Sequence, residues 1–315
     1  MIRLNLLIHF AKYFLFTVFV FIGLLGCNIF SQSARNVDGN EFSNLSDKVR
    51  DDSLTVFLGS TDLSVGFNRV VFGLLDSEMS HVRTQTVTST FIPVEISDRT
   101  LAGLEIQTSA TFMRWPVGSG GVYVAKVEFP ESGKWRMVVE IPNETGVRNY
   151  GLADFVVNLK SSSPSIGAAV PLSNNKILGD PYELTQLTTS SSPDPELYEL
   201  TINQSVSSGK PTLIVFASPA FCTSGTCGPQ VKIISEIKNK FRGLVNFIHV
   251  EVYDNPDKID GDLSNAEISP LMQEWGLLTE PFTFLIDSNG FVYSKFEGFV
   301  TAVELEESLD LILEN

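Results

Sequence analysis

Cations are scarce in this chain. Its 22 lysines and arginines are set against 37 aspartates and glutamates, a formal net charge of −15. So acidic a surface repels phosphate backbones and excludes nucleic acid as a partner. No run of like charge marks a tail, and no internal repeat is visible. Cysteine is scarce too, three in 315 residues, an odd number. Between residues 54 and 160 there is no cysteine, and His81 is the only histidine, so that stretch offers no catalytic constellation. Against these absences stand 43% hydrophobic and 19% charged residues, ordinary values for a folded protein. The length accommodates two domains after a targeting segment is removed.

The first residues carry Arg3 and Lys12, no acid, and an apolar run from Phe14 to Leu25 that closes in Leu24-Leu25-Gly26-Cys27. A small residue before a cysteine at the end of such a run resembles the lipobox of bacterial lipoproteins. The resemblance implies a signal peptide over residues 1–26, cleaved after Gly26, and a lipid on Cys27. An uncleaved anchor is the alternative, but the run is short for a span, which needs about 20 residues. Either reading expects the rest of the chain at the extracytoplasmic face of the cell membrane. Asn28 follows the cysteine, so the Asp of a common inner-membrane retention signal is missing. With Cys27 lipidated, Cys222 and Cys227 have only each other, and in an oxidising compartment a disulfide between them is the default state.

Residues 27–50 are polar and aperiodic and read as a tether. Over residues 51–160 the strand signal dominates, with candidate strands at 54–58, 69–75, 84–93, 122–129, 135–141 and 155–160. Trp135, Met137, Val139 and Ile141 alternate with the residues between them, the period of a half-buried strand. Short strands with Gly/Ser/Asn-rich turns predict an all-β antiparallel sandwich of immunoglobulin-like kind, a spacer or recognition domain. Residues 161–194, punctuated near both ends by Ser-Ser-Ser-Pro (Ser161–Pro164 and Ser190–Pro193), read as a linker lying across the surface.

From residue 195 onward helix and strand alternate. Thr212 to Ala217 (TLIVFA) is an almost wholly apolar strand, as expected with both faces buried. Residues 229–241 are a helix with Val231, Ile234, Ile237 and Phe241 on one side. Residues 245–253 are the next buried strand and 270–275 a short helix. Strands at 282–287 and 292–296 are joined by Ser288-Asn289-Gly290, a hairpin turn. Thr301 opens the last helix, with Glu304 completing a capping box.

That order, with "SPAFC" after the first buried strand, "CGP" opening the helix and "LLTEPFTFLID" carrying Pro281, resembles the thioredoxin-like superfamily over about residues 195–315. The resemblance implies an α/β thioredoxin-like domain and thiol–disulfide exchange through Cys222 and Cys227. It also implies a cis Pro281 that faces the disulfide, exposes a backbone edge and shapes a substrate groove. Exported thiol or disulfide proteins are the expected substrates, a membrane redox partner fits the location, and no cofactor or metal is expected. The physics agrees: exchange needs a thiolate, and a helix N-terminus stabilises one. Pro229 as first helical residue puts Gly228 near the cap and Cys227 just outside it.

Three features depart from the family. The spacing is C-x4-C, so Cys222 must lie in the loop before the helix. The strand 212–217 lacks the buried acid that thioredoxins often use as proton acceptor. Glu280 precedes Pro281, where it is either that missing acceptor or a solvated loop carboxylate. Counted from the strand, Cys222 matches the attacking cysteine; counted from the helix, Cys227 does. The reading adopted takes Cys222 as attacking and Cys227 as resolving. The competing class is a non-catalytic binding module whose disulfide is a staple, worth roughly 2–3 kcal/mol for so short a ring. A copper-handling protein of this fold uses a histidine after the proline strand; residues 282–299 contain none, and His249 reads as a packed core residue.

Overall fold

Seven strands lead the described chain: β1 (Thr55–Leu58), β2 (Gly66–Leu75), β3 (Thr86–Ile96), β4 (Ile106–Arg114), β5 (Gly121–Phe129), β6 (Gly133–Pro142) and β7 (Arg148–Val157). The structure, a computed structural model, describes residues 53–96, 103–142, 148–179 and 181–314. The strands pair antiparallel in the order β1-β2-β5-β4-β3-β6-β7. Trp135, Met137, Val139 and Ile141 of β6 all point inward, as their alternation predicts. They meet Phe91, Phe129 and Phe155 in one core, where the Phe129 ring stands edge-on to Phe91 and Trp135 at 5.6 and 5.0 Å.

The all-β expectation stands, but the architecture differs in one respect. An immunoglobulin-like sandwich divides its strands between two sheets. Here pairing runs unbroken through seven strands, and the sheet folds over on itself. Leu54 N donates to Tyr150 O at 3.1 Å, bringing the β1 end back to β7. A Cβ at Gly151 would sit 2.9 Å from Leu54 O, so glycine permits that approach. Sequence reading missed β4, whose Thr- and Ser-rich sequence buries only Ala110 fully. It also set the last strand at 155–160, whereas β7 spans Arg148–Val157.

The second half contains α1 (Ile202–Ser207), β8 (Thr212–Ala217), α2 (Cys227–Lys240), β9 (Asn246–Glu251), α3 (Pro270–Glu274), β10 (Phe282–Ile286), β11 (Val292–Glu297) and α4 (Ala302–Glu314). Its sheet order is β11-β10-β8-β9, with β8 and β9 parallel and the β10–β11 hairpin antiparallel. β8 is buried along its whole length. Leu213 and Val215 face α2 and α4, while Ile214 and Phe216 face Ile202 and Met272 on the opposite side. This βαβ unit, followed by a hairpin and a closing helix, is a thioredoxin-like fold.

The stretch between the two sheets is anchored rather than loose. Val170 joins the core beneath α1, Trp275 Nε1 donates to Ser173 Oγ at 2.9 Å, and Leu187 packs with Tyr198. The sheets also meet directly. Arg69 of β2 reaches both Glu304 carboxylate oxygens at 2.9 Å and the carbonyls of Glu297 and Phe299. The capping box expected at α4 is therefore only half formed. Glu304 N donates to Thr301 Oγ1 at 3.2 Å, but the Glu304 carboxylate turns to Arg69. Asp62 receives Ser162 N at 2.7 Å and Lys295 Nζ at 3.1 Å. Burial opposes its charge, yet hydrogen bonds from Ser161, Ser163 and Ser162, with the Lys295 cation, hold its carboxyl well below the usual range. Among the described residues no helix is long and apolar enough to cross a membrane.

Candidate functional site

β8 delivers the chain at Ala217 into the loop Ser218–Phe221, and Cys222 follows. Cys222 and Cys227 are joined as a disulfide, their Cα atoms 5.8 Å apart. Five residues of separation do not fit one helical turn, so the loop folds back first. Gly225, at φ +68, makes that turn, and its N–H donates to Cys222 O at 3.2 Å. The helix then starts two residues earlier than its proline suggested: Thr226 is the cap and Cys227 the first helical residue of α2. Thr226 O accepts from Gln230 N at 2.8 Å, so the turn is already closed there. Gly228 lets the Pro219 carbonyl pack against it, since an added Cβ would meet that oxygen at 3.2 Å.

The two sulfurs are not equivalent. Cys227 is fully buried (0% exposed), while Cys222 is half-buried at the rim, with Ser224 Oγ 3.1 Å from its sulfur. The free N–H groups of the first turn of α2 give Cys227 a partial positive charge that favours a thiolate.

The Glu280–Pro281 bond is cis. Pro281 is buried, and its carbonyl accepts from Gly298 N at 2.8 Å, which begins the pairing of β10 with β11. Glu280 turns inward. It accepts from Ser218 N at 2.5 Å and Ser218 Oγ at 2.6 Å, and its Oε2 lies 3.5 Å from Cys227 Sγ. Burial pushes the Glu280 carboxyl up, partly offset by the two Ser218 hydrogen bonds. Of the two readings of this residue, the geometry matches the carboxylate beside the sulfur rather than the solvated loop group.

A second buried carboxylate was not singled out from sequence. Glu251 ends β9, paired in register with Ala217, and is 6% exposed. Its Oε2 accepts from Thr189 N at 2.7 Å and Thr189 Oγ1 at 2.9 Å, and Oε1 from Val252 N at 3.0 Å. Thr189 Oγ1 in turn accepts from Ala220 N at 3.2 Å, tying Glu251 to the loop that leads to Cys222. Burial, with the Glu280 charge adding to it, pushes Glu251 up to about 7. The acid that β8 lacks thus stands one strand away. A lone carboxylate closing an apolar strand was the available signal.

His249 is the core residue expected. Its Nε2 lies 2.9 Å from Ala217 O, an acceptor, so Nε2 carries the proton and Nδ1 accepts from the Tyr198 hydroxyl at 2.7 Å. Burial pushes its pKa down to about 4, which keeps the ring neutral. Gln230, where a C-x2-C pair would have its second cysteine, is fully buried and accepts from Val300 N at 2.9 Å, fixing the approach to α4. An open groove is lined by Thr188, Thr189, Ser190, Pro193, Asp257 and Phe221, the residue before Cys222, but by neither cysteine and not by Glu280 or Pro281. Cys27 lies outside the described residues.

No family model matches the chain, and no curated protein does. Several solved structures resemble part of it. A thioredoxin-family thiol:disulfide interchange protein from Chlorobium tepidum is 12% identical, covering 33% of this chain and 81% of its own, with a TM-score of 0.27. The C-terminal domain of a candidate thiol-disulfide oxidoreductase from Bacteroides thetaiotaomicron is 18% identical over 49% of this chain and 98% of its own, with a TM-score of 0.30. The pneumococcal exposed lipoprotein thioredoxin from Streptococcus pneumoniae is 18% identical over 34% and 89%, with a TM-score of 0.26. At these TM-scores the fold reading rests on strand order, crossover and proline position, not on the likenesses.

Proposed function

We propose that this protein is a membrane-anchored, extracytoplasmic thiol–disulfide oxidoreductase working through its C-x4-C pair, Cys222 and Cys227. The observation that carries the reading is the asymmetry of the bridge. One sulfur is half-buried at the rim; the other is sealed at a helix start with a carboxylate oxygen 3.5 Å away. A mere staple needs neither feature.

In the reduced protein the Cys222 thiolate attacks a disulfide of an exported protein. One substrate sulfur joins Cys222 and the other leaves as a thiolate, which takes a proton from solvent. Glu280 accepts the proton of the Cys227 thiol, and the resulting thiolate attacks Cys222 Sγ. The second substrate sulfur is released, also to be protonated, and the Cys222–Cys227 bridge closes. Two electrons pass from the pair to the substrate, and the same steps in reverse oxidise a substrate dithiol. Pro281 serves by holding Glu280 against the sulfur and shaping a substrate groove at the bridge. Exported thiol or disulfide proteins are the substrates, and a membrane redox partner restores the pair. A lipid on Cys27 supplies the anchor, residues 27–50 the tether, and the β unit a spacer or recognition surface.

Trapping tests the chemistry. Cys227→Ser should accumulate a mixed disulfide through Cys222, because nothing resolves it, whereas Cys222→Ser should leave a buried thiol that reacts slowly with both substrate and bulky alkylating agents. Equal trapping by the two variants contradicts the assigned roles. Mass spectrometry of the membrane-extracted protein tests the anchor: the chain should begin at a lipid-modified Cys27, and an unmodified or uncleaved N-terminus contradicts it.

A further inference from the structure

Among the described residues, one group of metal-ligating side chains converges: Cys222 Sγ, Cys227 Sγ and a Glu280 carboxylate oxygen, all within 4.8 Å of one another. We infer that reducing the bridge opens a site for a divalent, borderline-soft cation of the zinc class, held by two thiolates and one carboxylate. The inference rests on the pair being reducible, as the oxidoreductase reading requires.

The donor set decides the class of ion. Two sulfurs alone suit a linear monovalent soft ion; adding an oxygen suits a tetrahedral divalent one, with the fourth position left for water or an incoming thiol. The distances agree. A tetrahedral ion about 2.3 Å from sulfur and about 2.0 Å from oxygen separates the two donors by roughly 3.5 Å. Cys227 Sγ and Glu280 Oε2 are 3.5 Å apart. Two of the three donors are therefore in position already. Only Cys222 has to withdraw, to about 3.8 Å from the other sulfur by the same geometry. It sits in the loop that turns at Gly225, outside the helix, so the movement does not require α2 to unwind.

The carboxylate is also held as a ligand has to be held. Ser218 N and Oγ donate to its two oxygens at 2.5 and 2.6 Å, the outer hydrogen bonds that orient a metal-binding carboxylate, and each oxygen keeps a lone pair. The balance is simple. A dithiol reductant gives two electrons and two protons to the bridge and becomes a disulfide itself. The cation then displaces two thiol protons to solvent as it binds, so affinity rises with pH. Bound, it occupies both sulfurs and holds the reduced pair out of exchange.

The test uses the full chain, reduced, freed of reductant without air, and titrated with Zn2+ against a chromophoric chelator. One Zn2+ per reduced chain is expected, with release of protons, and none to the disulfide form of the same preparation. Glu280→Gln should weaken binding by about 10-fold or more. Cd2+ in place of Zn2+ should give the ultraviolet thiolate-to-metal band. Equal binding by oxidised and reduced protein overturns the inference. So does unchanged affinity in a Glu280→Gln variant that keeps the wild-type circular dichroism. The same metal-free preparations are assayed for thiol exchange. Exchange without zinc binding overturns this inference alone, whereas a bridge that resists reduction overturns both it and the reading beneath it.

Discussion

Glu280 occupies a position where a carboxylate is costly unless used. Burial raises its pKa, and the nearest sulfur would prefer a positive neighbour to a negative one. As proton acceptor it resolves the conflict: the negative charge disappears as the Cys227 thiolate forms. Acceptance requires the ionised form, so exchange should fall as pH drops through the raised Glu280 pKa. Glu280→Gln should slow resolution about 100-fold and flatten that acidic limb. Stopped-flow exchange across pH measures both, and a variant with the wild-type profile contradicts the role. Both cysteines and Glu280 were legible in the sequence because they flank recognisable elements. Cys227's place inside the helix was not, since Pro229 looked like the natural first residue and only the Thr226–Gln230 hydrogen bond reveals the earlier start.

Strand β9 carries two buried titratable groups whose effects on stability oppose each other. Unfolded, Glu251 loses its proton near 4.5; folded, it keeps it to about 7. Between those values the folded state holds more protons, so stability falls as pH rises, by about 3 kcal/mol in all. His249 does the reverse. Unfolded it binds a proton below 6.5, folded only below about 4, so the unfolded state holds more protons there and stability rises with pH by about 3 kcal/mol. The two slopes nearly cancel between about 4.5 and 6.5. His249→Gln should unmask the fall and Glu251→Gln the rise. Urea midpoints from pH 4.5 to 6.5 read both, and a flat profile in both variants contradicts the pairing. β9 itself was easy to read from its apolar run. Glu251 was passed over because its partner, Thr189, lies 62 positions away. β4 was missed for a different reason: a strand in the middle of a sheet that buries one small residue fully leaves little hydrophobic pattern to read.

At the scale of the molecule, the two sheets are joined by groups far apart in sequence, which no local pattern announces. Arg69 and Glu304, 235 positions apart, have side chains 7% and 9% exposed. Removing one partner leaves the other buried and unpaired, a loss of about 3–5 kcal/mol. Arg69→Ala should therefore split thermal unfolding into two calorimetric steps where the parent shows one; a single unshifted transition contradicts a coupled molecule. The order of elements in the α/β unit was legible because each is long or apolar enough to carry its own period. The closure of the β sheet was not, because it depends on Leu54 meeting Tyr150 across the whole unit. Everything proposed for function converges on the Cys222–Cys227 bridge. Its equilibrium with glutathione and dithiothreitol buffers is the most direct test. An exchanging pair should poise between about −120 and −270 mV. A bridge that stays closed until below about −300 mV, the behaviour of a structural disulfide, would contradict the account.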